Sequence, residues 1–331
     1  MKQEMENTAA TPWLANINPR LWAFVSQNRV ILILLALIAI APFVLEEYRL
    51  STVTRSMIYG IAACAVGFIF RYGGMVSFGH SMFFGIGAYW VLVAQRIGLN
   101  EALIVWPLAA ALAGSLALLI AAISLRTKGV SFFMVTIGFA QVVFYILSSI
   151  QYLGAADGAA LFRRNTLAGA SIENSVVFHL VALAALVAVL YALKRLAVSP
   201  FGLALNGISQ NERHIAALGY NTRSLKLWAF AISGSITGLA GALAGNYYLF
   251  VSPFLLHWSV SGEFLVMMTL GGVGSVFGGL VGSLALLQTI QWLSLWTTYW
   301  GVFLGPLIII LVLYAPSGLV QALDSIGRRP K

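Results

Sequence analysis

The chain has 331 residues, of which 60% are apolar and 9% charged, against roughly 45–50% and about 25% in soluble domains. That leaves too little charge for a water-facing surface, which excludes an ordinary soluble globule and an intrinsically disordered chain. The formal charge of +9 sits in short connectors between apolar runs, a pattern of membrane-flanking loops rather than of a nucleic-acid-binding face.

A bilayer core needs about 20 mostly apolar residues per helix. In chain order the candidate spans lie near 30–45, 51–70, 81–95, 103–125, 130–150, 175–193, 227–250, 262–273, 277–295 and 302–316. The fold class expected is an all-α polytopic transmembrane bundle of about ten spans with broken or re-entrant Gly-rich segments. Residues 1–29 form a polar leading segment and 30–320 the membrane domain. Residues 321–331, with Arg328, Arg329 and Lys331, form a basic tail. The first run, Val30 to Leu45, ends in Pro42 and Glu46-Glu47 without a small-x-small cleavage site, which reads as an uncleaved span.

The connector 194–226 carries Lys194, Arg195, Arg213, Arg223 and Lys226 against Glu212 alone, and Arg126 and Lys128 mark a second basic turn. The positive-inside rule puts both, and both termini, on the cytoplasmic side. Arg55 and Arg71 are expected near span ends, where they can snorkel to the interface. Acidic residues lie almost wholly in connectors; Glu263, at the start of a span, is the nearest exception.

Absences narrow the chemistry. No lysine follows a glycine, so there is no P-loop. The four histidines are scattered, with no His-Glu-x-x-His, and no serine occupies a Gly-x-Ser-x-Gly elbow. No catalytic residue, metal or cofactor is therefore expected. The one cysteine, Cys64, lies in an apolar run and reads as packing.

Two segments stand out. Within 194–226, Ser199 followed by Pro200 reads as a helix N-cap with proline at the first helical position. Gly219 before Asn221 reads as a left-handed stop. Between them Leu203, Ile208, Ile215 and Leu218 fall near one stripe, and Asn206, Gln210, Asn211, Glu212 and Arg213 fill much of the rest. Gly202 and Gly207 weaken a continuous helix, so one or two short helices are expected. Such a helix can lie on a membrane or dock in a partner's groove; the alternative is a solvated loop. The second segment, Gly73-Gly74 through Ser77, Gly79 and His80, interrupts two apolar runs. Broken helices inside a membrane expose backbone groups that can hold a substrate; the alternative is packing. A weak internal echo joins Gly73–Ser77 to Gly271–Ser275, through Gly272 and Gly274.

At these residues the chain resembles the integral-membrane permeases of branched-chain amino acid ABC importers, of the LivM-like kind, over roughly residues 50 to 320. Ser77-Phe78-Gly79-His80-Ser81-Met82-Phe83-Phe84-Gly85-Ile86-Gly87-Ala88-Tyr89 is similar to that family's Ser-Leu-Gly-His-Ala-Ala-Phe-Phe-Gly-Ile-Gly-Ala-Tyr. Ser199-Pro200-Phe201-Gly202 with Asn211-Glu212 and Ala217-Leu218-Gly219 resembles its cytoplasmic signature, and Leu270 to Ser275 its late Gly-rich motif. The departures are Leu153–Ala159 in place of Thr-Gly-Gly-x-Asp-Gly-Leu, Gln141 in place of an acid, and Leu203 in place of arginine.

The resemblance implies a permease subunit with no catalytic role, in a bacterial inner membrane. It works with a second, LivH-like permease, two cytoplasmic ATPases that bind the ATP, and an extracytoplasmic solute-binding protein. It assigns Ser199, Pro200, Asn211, Glu212, Arg213, Leu218 and Gly219 to ATPase coupling. Gly73, Gly74, Ser77, Gly79, His80, Gly271, Gly272, Gly274 and Ser275 are assigned to the substrate pathway. The cargo stays open between branched-chain amino acids and urea, amides or another small solute, and the rival reading is a stand-alone ion-coupled transporter.

Overall fold

The computed structural model describes residues 29–314 and 318–321. The polar leading segment and the basic tail therefore lie outside the described residues, save for Arg29 and Gln321. Eleven α-helices are described: α1 Arg29–Val44, α2 Glu47–Gly73, α3 His80–Arg96, α4 Ala102–Ser124, α5 Val130–Ser149, α6 Ser175–Ala197, α7 Pro200–Ala217, α8 Thr222–Tyr248, α9 Trp258–Gly271, α10 Gly278–Trp296 and α11 Trp300–Tyr314. Four two-residue strands pair as β1 (Ala159–Ala160) with β4 (Phe250–Val251) and β2 (Thr166–Leu167) with β3 (Ala170–Ser171).

Every expected apolar run is a helix, and six of them (α2, α4, α5, α6, α8, α10) are long and apolar enough to cross a bilayer. The other four have 16, 17, 14 and 15 residues (α1, α3, α9, α11). At 1.5 Å per residue, α9 reaches only about 21 Å, short of a hydrocarbon core of about 30 Å.

The core is organised around two long antiparallel helices, α2 and α8. Ser51 Oγ meets Tyr247 OH at one end (2.7 Å), and Ser233 Oγ donates to the Ala65 carbonyl further along (2.7 Å). Each is followed by a largely non-helical stretch, 74–79 or 249–257, and then by a short helix, α3 or α9. The short helices run in opposite directions. Phe84 and Ala88 of α3 touch Gly241 and Gly245 of α8, whereas Phe264 and Met268 of α9 touch Tyr59 and Gly67 of α2. The helix after each short one completes the exchange, with α4 along α8 and α10 along α2. The two units thus form an inverted repeat.

This corrects the sequence echo. Gly73–Ser77 precedes a half-helix and Gly271–Ser275 follows one, so they are not equivalent positions. Their likeness arises because both turn the chain at the same end of α2, with left-handed Gly74 (φ 62°) and with Gly272 at φ 110°. That end bears Arg71, Lys128, Lys194, Arg195, Arg223 and Lys226 and is the basic end of the bundle.

Glycine sets how closely the repeat packs. A Cβ on Gly87 would sit 1.9 Å from the Gly238 carbonyl oxygen, and one on Gly279 2.3 Å from the Cys64 nitrogen. Small residues let membrane helices approach backbone to backbone in this way.

Candidate functional site

The half-helices α3 and α9 meet N-terminus to N-terminus close to the midpoint of α2. Ser81 N donates to Ser261 Oγ (2.7 Å), and Ser81 Oγ donates to the Leu256 carbonyl (3.0 Å). Both serines are buried; the Ser261 hydroxyl satisfies the Ser81 N–H of α3, and the His257 carbonyl and ring accept from Val260 N and Ser259 N at the start of α9. His80, fully buried, places Nε2 3.0 Å from Ser233 Oγ and lies edge-on between Phe83 and Phe230. Ser77, also buried, accepts from Gly79 N (3.2 Å), and Phe78 N donates to Thr136 Oγ1 (3.2 Å). The stretch 74–79 thus reaches from the basic end of α2 to mid-bundle.

The second Gly-rich group stays at the basic end. Arg71 Nη1 donates to the Val273 carbonyl (3.3 Å), and Ser275 Oγ accepts from Phe277 N (3.2 Å). Gly271 packs against Gly278 and Gly282, while Gly274 faces Gln321 and Arg71. The two expected pathway segments therefore flank α2 rather than face each other, with Gly73 and Gly74 turned to Leu205 and Ser209 of α7.

α7 carries the expected coupling residues. Ser199 Oγ accepts from Gly202 N (3.2 Å), Pro200 occupies the first helical position, and Gly219 takes φ 89°. The helix breaks, but at Asn211 (φ −153°, ψ 94°) rather than at Gly202 or Gly207. Asn211 Oδ1 accepts from His214 N (3.1 Å), so its side chain caps the turn beyond the break. The apolar stripe also differs from expectation. Gly202, Ala204, Leu205 and Ile208 are buried, whereas Leu203 and Leu218 are 63% and 62% exposed. Arg213 is exposed as well.

Glu212, one residue past the break, bonds Lys128 Nζ at 2.7 Å and Lys226 Nζ at 2.9 Å. Partial burial disfavours its ionised form. The two lysines' hydrogen bonds and charges outweigh that and hold the carboxyl below its ordinary range. Glu212 thereby ties α7 to the α4–α5 turn and to α8. The same three residues line a cavity of about 630 Å³ whose other walls include Gly74, Met75, Val76, Phe132, Phe133 and Arg223. A pathway residue, Gly74, and a coupling residue, Glu212, share this wall; Gly271, Gly272, Gly274 and Ser275 do not. Lys128 and Lys226 were legible only as basic loop charges.

Arg55 is the clearest departure from expectation. It lies two turns inside α2, half-buried, with its guanidinium 5.4 Å from the Tyr59 ring centroid, not at a span end. A charge set inside a long apolar helix and bordered by the tyrosines that end α8 is a functional signal that hydropathy alone does not carry.

Long apolar helices, an inverted repeat of broken helices and ionisable groups kept inside define a multi-pass α-helical membrane protein of transporter architecture. Residues 48–313 match the family described as branched-chain amino acid transport system, permease component, and the chain belongs to that family. Among its relatives is the high-affinity branched-chain amino acid transport system permease protein LivM of Escherichia coli K12. It is 27% identical over 323 residues, covering 89% of this chain and 75% of the relative. LivM of Salmonella typhimurium matches to the same extent. LivH of Salmonella typhimurium is 25% identical over 294 residues, covering 83% of this chain and 91% of the relative. No solved structure matches.

Proposed function

We propose that the chain is the membrane-spanning permease subunit of an ABC importer and forms the translocation path for branched-chain or related amino acids. The observation that carries this reading is the match of most of the chain to the permease family and to both LivM and LivH. Likeness to two permeases named for one transport system supports pairing with a second, LivH-like chain. Energy then comes from two ATPases on separate chains, and cargo from an extracytoplasmic solute-binding protein. Ten crossings follow if the stretches 74–79 and 249–257 complete the short helices α3 and α9. The basic end is then cytoplasmic, as are both termini, in a bacterial inner membrane.

The exposed, doubly capped and kinked α7 is the surface offered to the ATPases. ATP binding moves α7, and Glu212 passes that movement to the α4–α5 turn and α8. The cavity beneath, with Gly74 on its wall, opens or closes the cytoplasmic end of the path. Such alternation requires the ATP-bound ATPases to favour one state, since equal affinity for both shifts nothing.

Gentle solubilisation and affinity purification test the assembly. The expected result is co-purification of a second permease and an ATPase, with ATP hydrolysis stimulated by amino-acid-loaded binding protein. Replacing Glu212 and Gly219 together is expected to abolish that stimulation in a folded complex. Recovery of this chain alone, with ion-driven flux in liposomes, overturns the reading.

A further inference from the structure

Ser51, Arg55 and Tyr59 recur every fourth residue and share one stripe of α2. Tyr247 and Tyr248, at the end of α8, close over that stripe. Ser51 Oγ lies 2.7 Å from Tyr247 OH, and Tyr59 OH lies 3.2 Å from Tyr248 OH. Arg55 lies 5.4 Å from the Tyr59 ring centroid, and that ring packs edge-on against Phe264 (5.8 Å), which sets the adjacent Glu263 of α9 beside the same stripe. Yet among the described residues neither Arg55 nor Glu263 has an ion-pair partner within 4.0 Å, and the buried Nε of Arg55 has no hydrogen-bond acceptor.

Opposite charges that form no ion pair with each other, both half-buried within spans, are expensive in hydrocarbon. A lipid-facing position would leave both uncompensated. A water-lined path, with a ligand bearing both complementary charges between them, compensates both. We infer that Arg55 and Glu263 form the subsite for the head group of a zwitterionic α-amino acid. The Arg55 fork takes the carboxylate, Glu263 takes the ammonium, and the tyrosine hydroxyls border the two. This rests on the importer reading above and narrows its cargo. Urea and simple amides carry neither charge and leave both groups unpaired, which a buried site penalises strongly. Val266, one turn beyond Glu263 on α9 and partly buried, continues the face with an aliphatic surface.

The test uses the full complex in liposomes, with binding protein loaded with labelled leucine. Arg55→Gln and Glu263→Gln are each expected to cut uptake roughly 10- to 100-fold, the range for losing a hydrogen bond to a charged group. Stimulation of ATP hydrolysis by loaded binding protein should persist, a split that a merely structural role does not give. Arg55→Lys keeps the charge without the fork, and its uptake should fall between wild type and Arg55→Gln. Wild-type uptake in both neutral variants overturns the subsite and leaves the importer reading standing. Loss of the second permease from both purified variants also overturns it, because the charges then seal a subunit contact. A wild-type complex that carries urea or an amide but no amino acid refutes the importer cargo and the subsite together. Glu263→Cys supplies a measurement independent of transport, since the native Cys64 is buried. A water-soluble cationic thiol reagent should label it in the assembled complex and loaded binding protein should slow the labelling. No labelling at any stage of the ATP cycle overturns the proposal.

Discussion

Gly87→Ala isolates the contact that fixes the half-helix α3. An added Cβ would lie 1.9 Å from the Gly238 carbonyl oxygen, and ordinary contact begins at 3.4 Å, so α3 and α8 must part by about 1.5 Å. α8 has no room to retreat. On its far side Gly238 and Gly234 already meet the Cβ atoms of Ala113 and Ala117 of α4, at 2.2 and 2.5 Å from where their own Cβ atoms would be. Overpacking a rigid contact costs about 1–3 kcal/mol, and backbone against backbone belongs at the upper end. Alanine itself recovers about 0.5–1 kcal/mol of helix propensity, leaving a net loss near 2 kcal/mol, roughly a 30-fold change in the folded ratio. Gly138→Ala on α5, with no heavy atom within 4 Å, carries the propensity gain without the clash. Thermal unfolding of the solubilised protein should place the two variants about 3 kcal/mol apart, Gly87→Ala below wild type and Gly138→Ala at or above it. Equal stabilities would refute the view that close packing, not helix flexibility, is why these glycines are there.

Three further outcomes follow from individual contacts. Buried Asn246 accepts from Asn165 N and donates to Asn165 Oδ1, both at 2.8 Å; Asn246→Ala should therefore cost about 2 kcal/mol and make the 151–174 connector the first segment cut in limited proteolysis. His80→Ala removes a buried ring wedged between Phe83 and Phe230. It should lower thermal stability by about 2–3 kcal/mol while the cargo preference of the surviving complex, measured by competition uptake, stays unchanged. The folded Glu212 carboxyl titrates below its unfolded value, so its stabilisation is complete above the ordinary carboxylate range and fades as pH falls through the lower folded value. Wild type should exceed Glu212→Gln by under about 1 kcal/mol at neutral pH, since Lys128 is 77% exposed, and pH-dependent melting curves of the two should converge on acidification.

Hydropathy located the apolar helices among the described residues because a bilayer selects apolar composition, but it did not show that only six of them have the length to cross. The caps of α7 were equally legible, since Ser199-Pro200 and Gly219 act through their own backbone and side chain. What failed was non-local. Gly202 and Gly207 marked the weak points of α7 by propensity, but Gly202 packs against the Leu196 and Ala197 carbonyl oxygens and the break moves to Asn211. Leu203 and Leu218 were expected near one stripe with Ile208 and are exposed: Leu203, before the kink, lies about 140° round the helix from buried Ile208, and Leu218 lies beyond the break at Asn211. The repeat does not show as a recurring string, because an inverted repeat preserves direction and packing and puts α9 opposite α3 without shared residues. Arg55 read as an interfacial residue because a charge count along a span records depth poorly and orientation not at all.

The order of rigid and yielding parts bears on how such a chain could alternate. The body of α3 is fixed to α8 by backbone contacts at Gly87 and Gly241, and α9 to α10 at Gly271 and Gly282. Between α2 and α3 the stretch 74–79 is held mainly by side chains: Phe78 on Phe133 (ring centroids 4.6 Å apart), Phe78 N on Thr136, and Gly74 against Ser209. Those partners belong to α5 and α7, the elements that Glu212 links through Lys128. Tightly packed contacts resist gradual deformation, whereas a stretch without a helical hydrogen-bond ladder opens at lower free energy. A displacement of α7 would therefore be absorbed at 74–79 and in the cavity beside it before it disturbed the Ser81–Ser261 junction. In the proposed cycle the broken helix would serve as a hinge under the half-helices, and the inferred zwitterion subsite on α2 and α9 would stay intact while access to it changes.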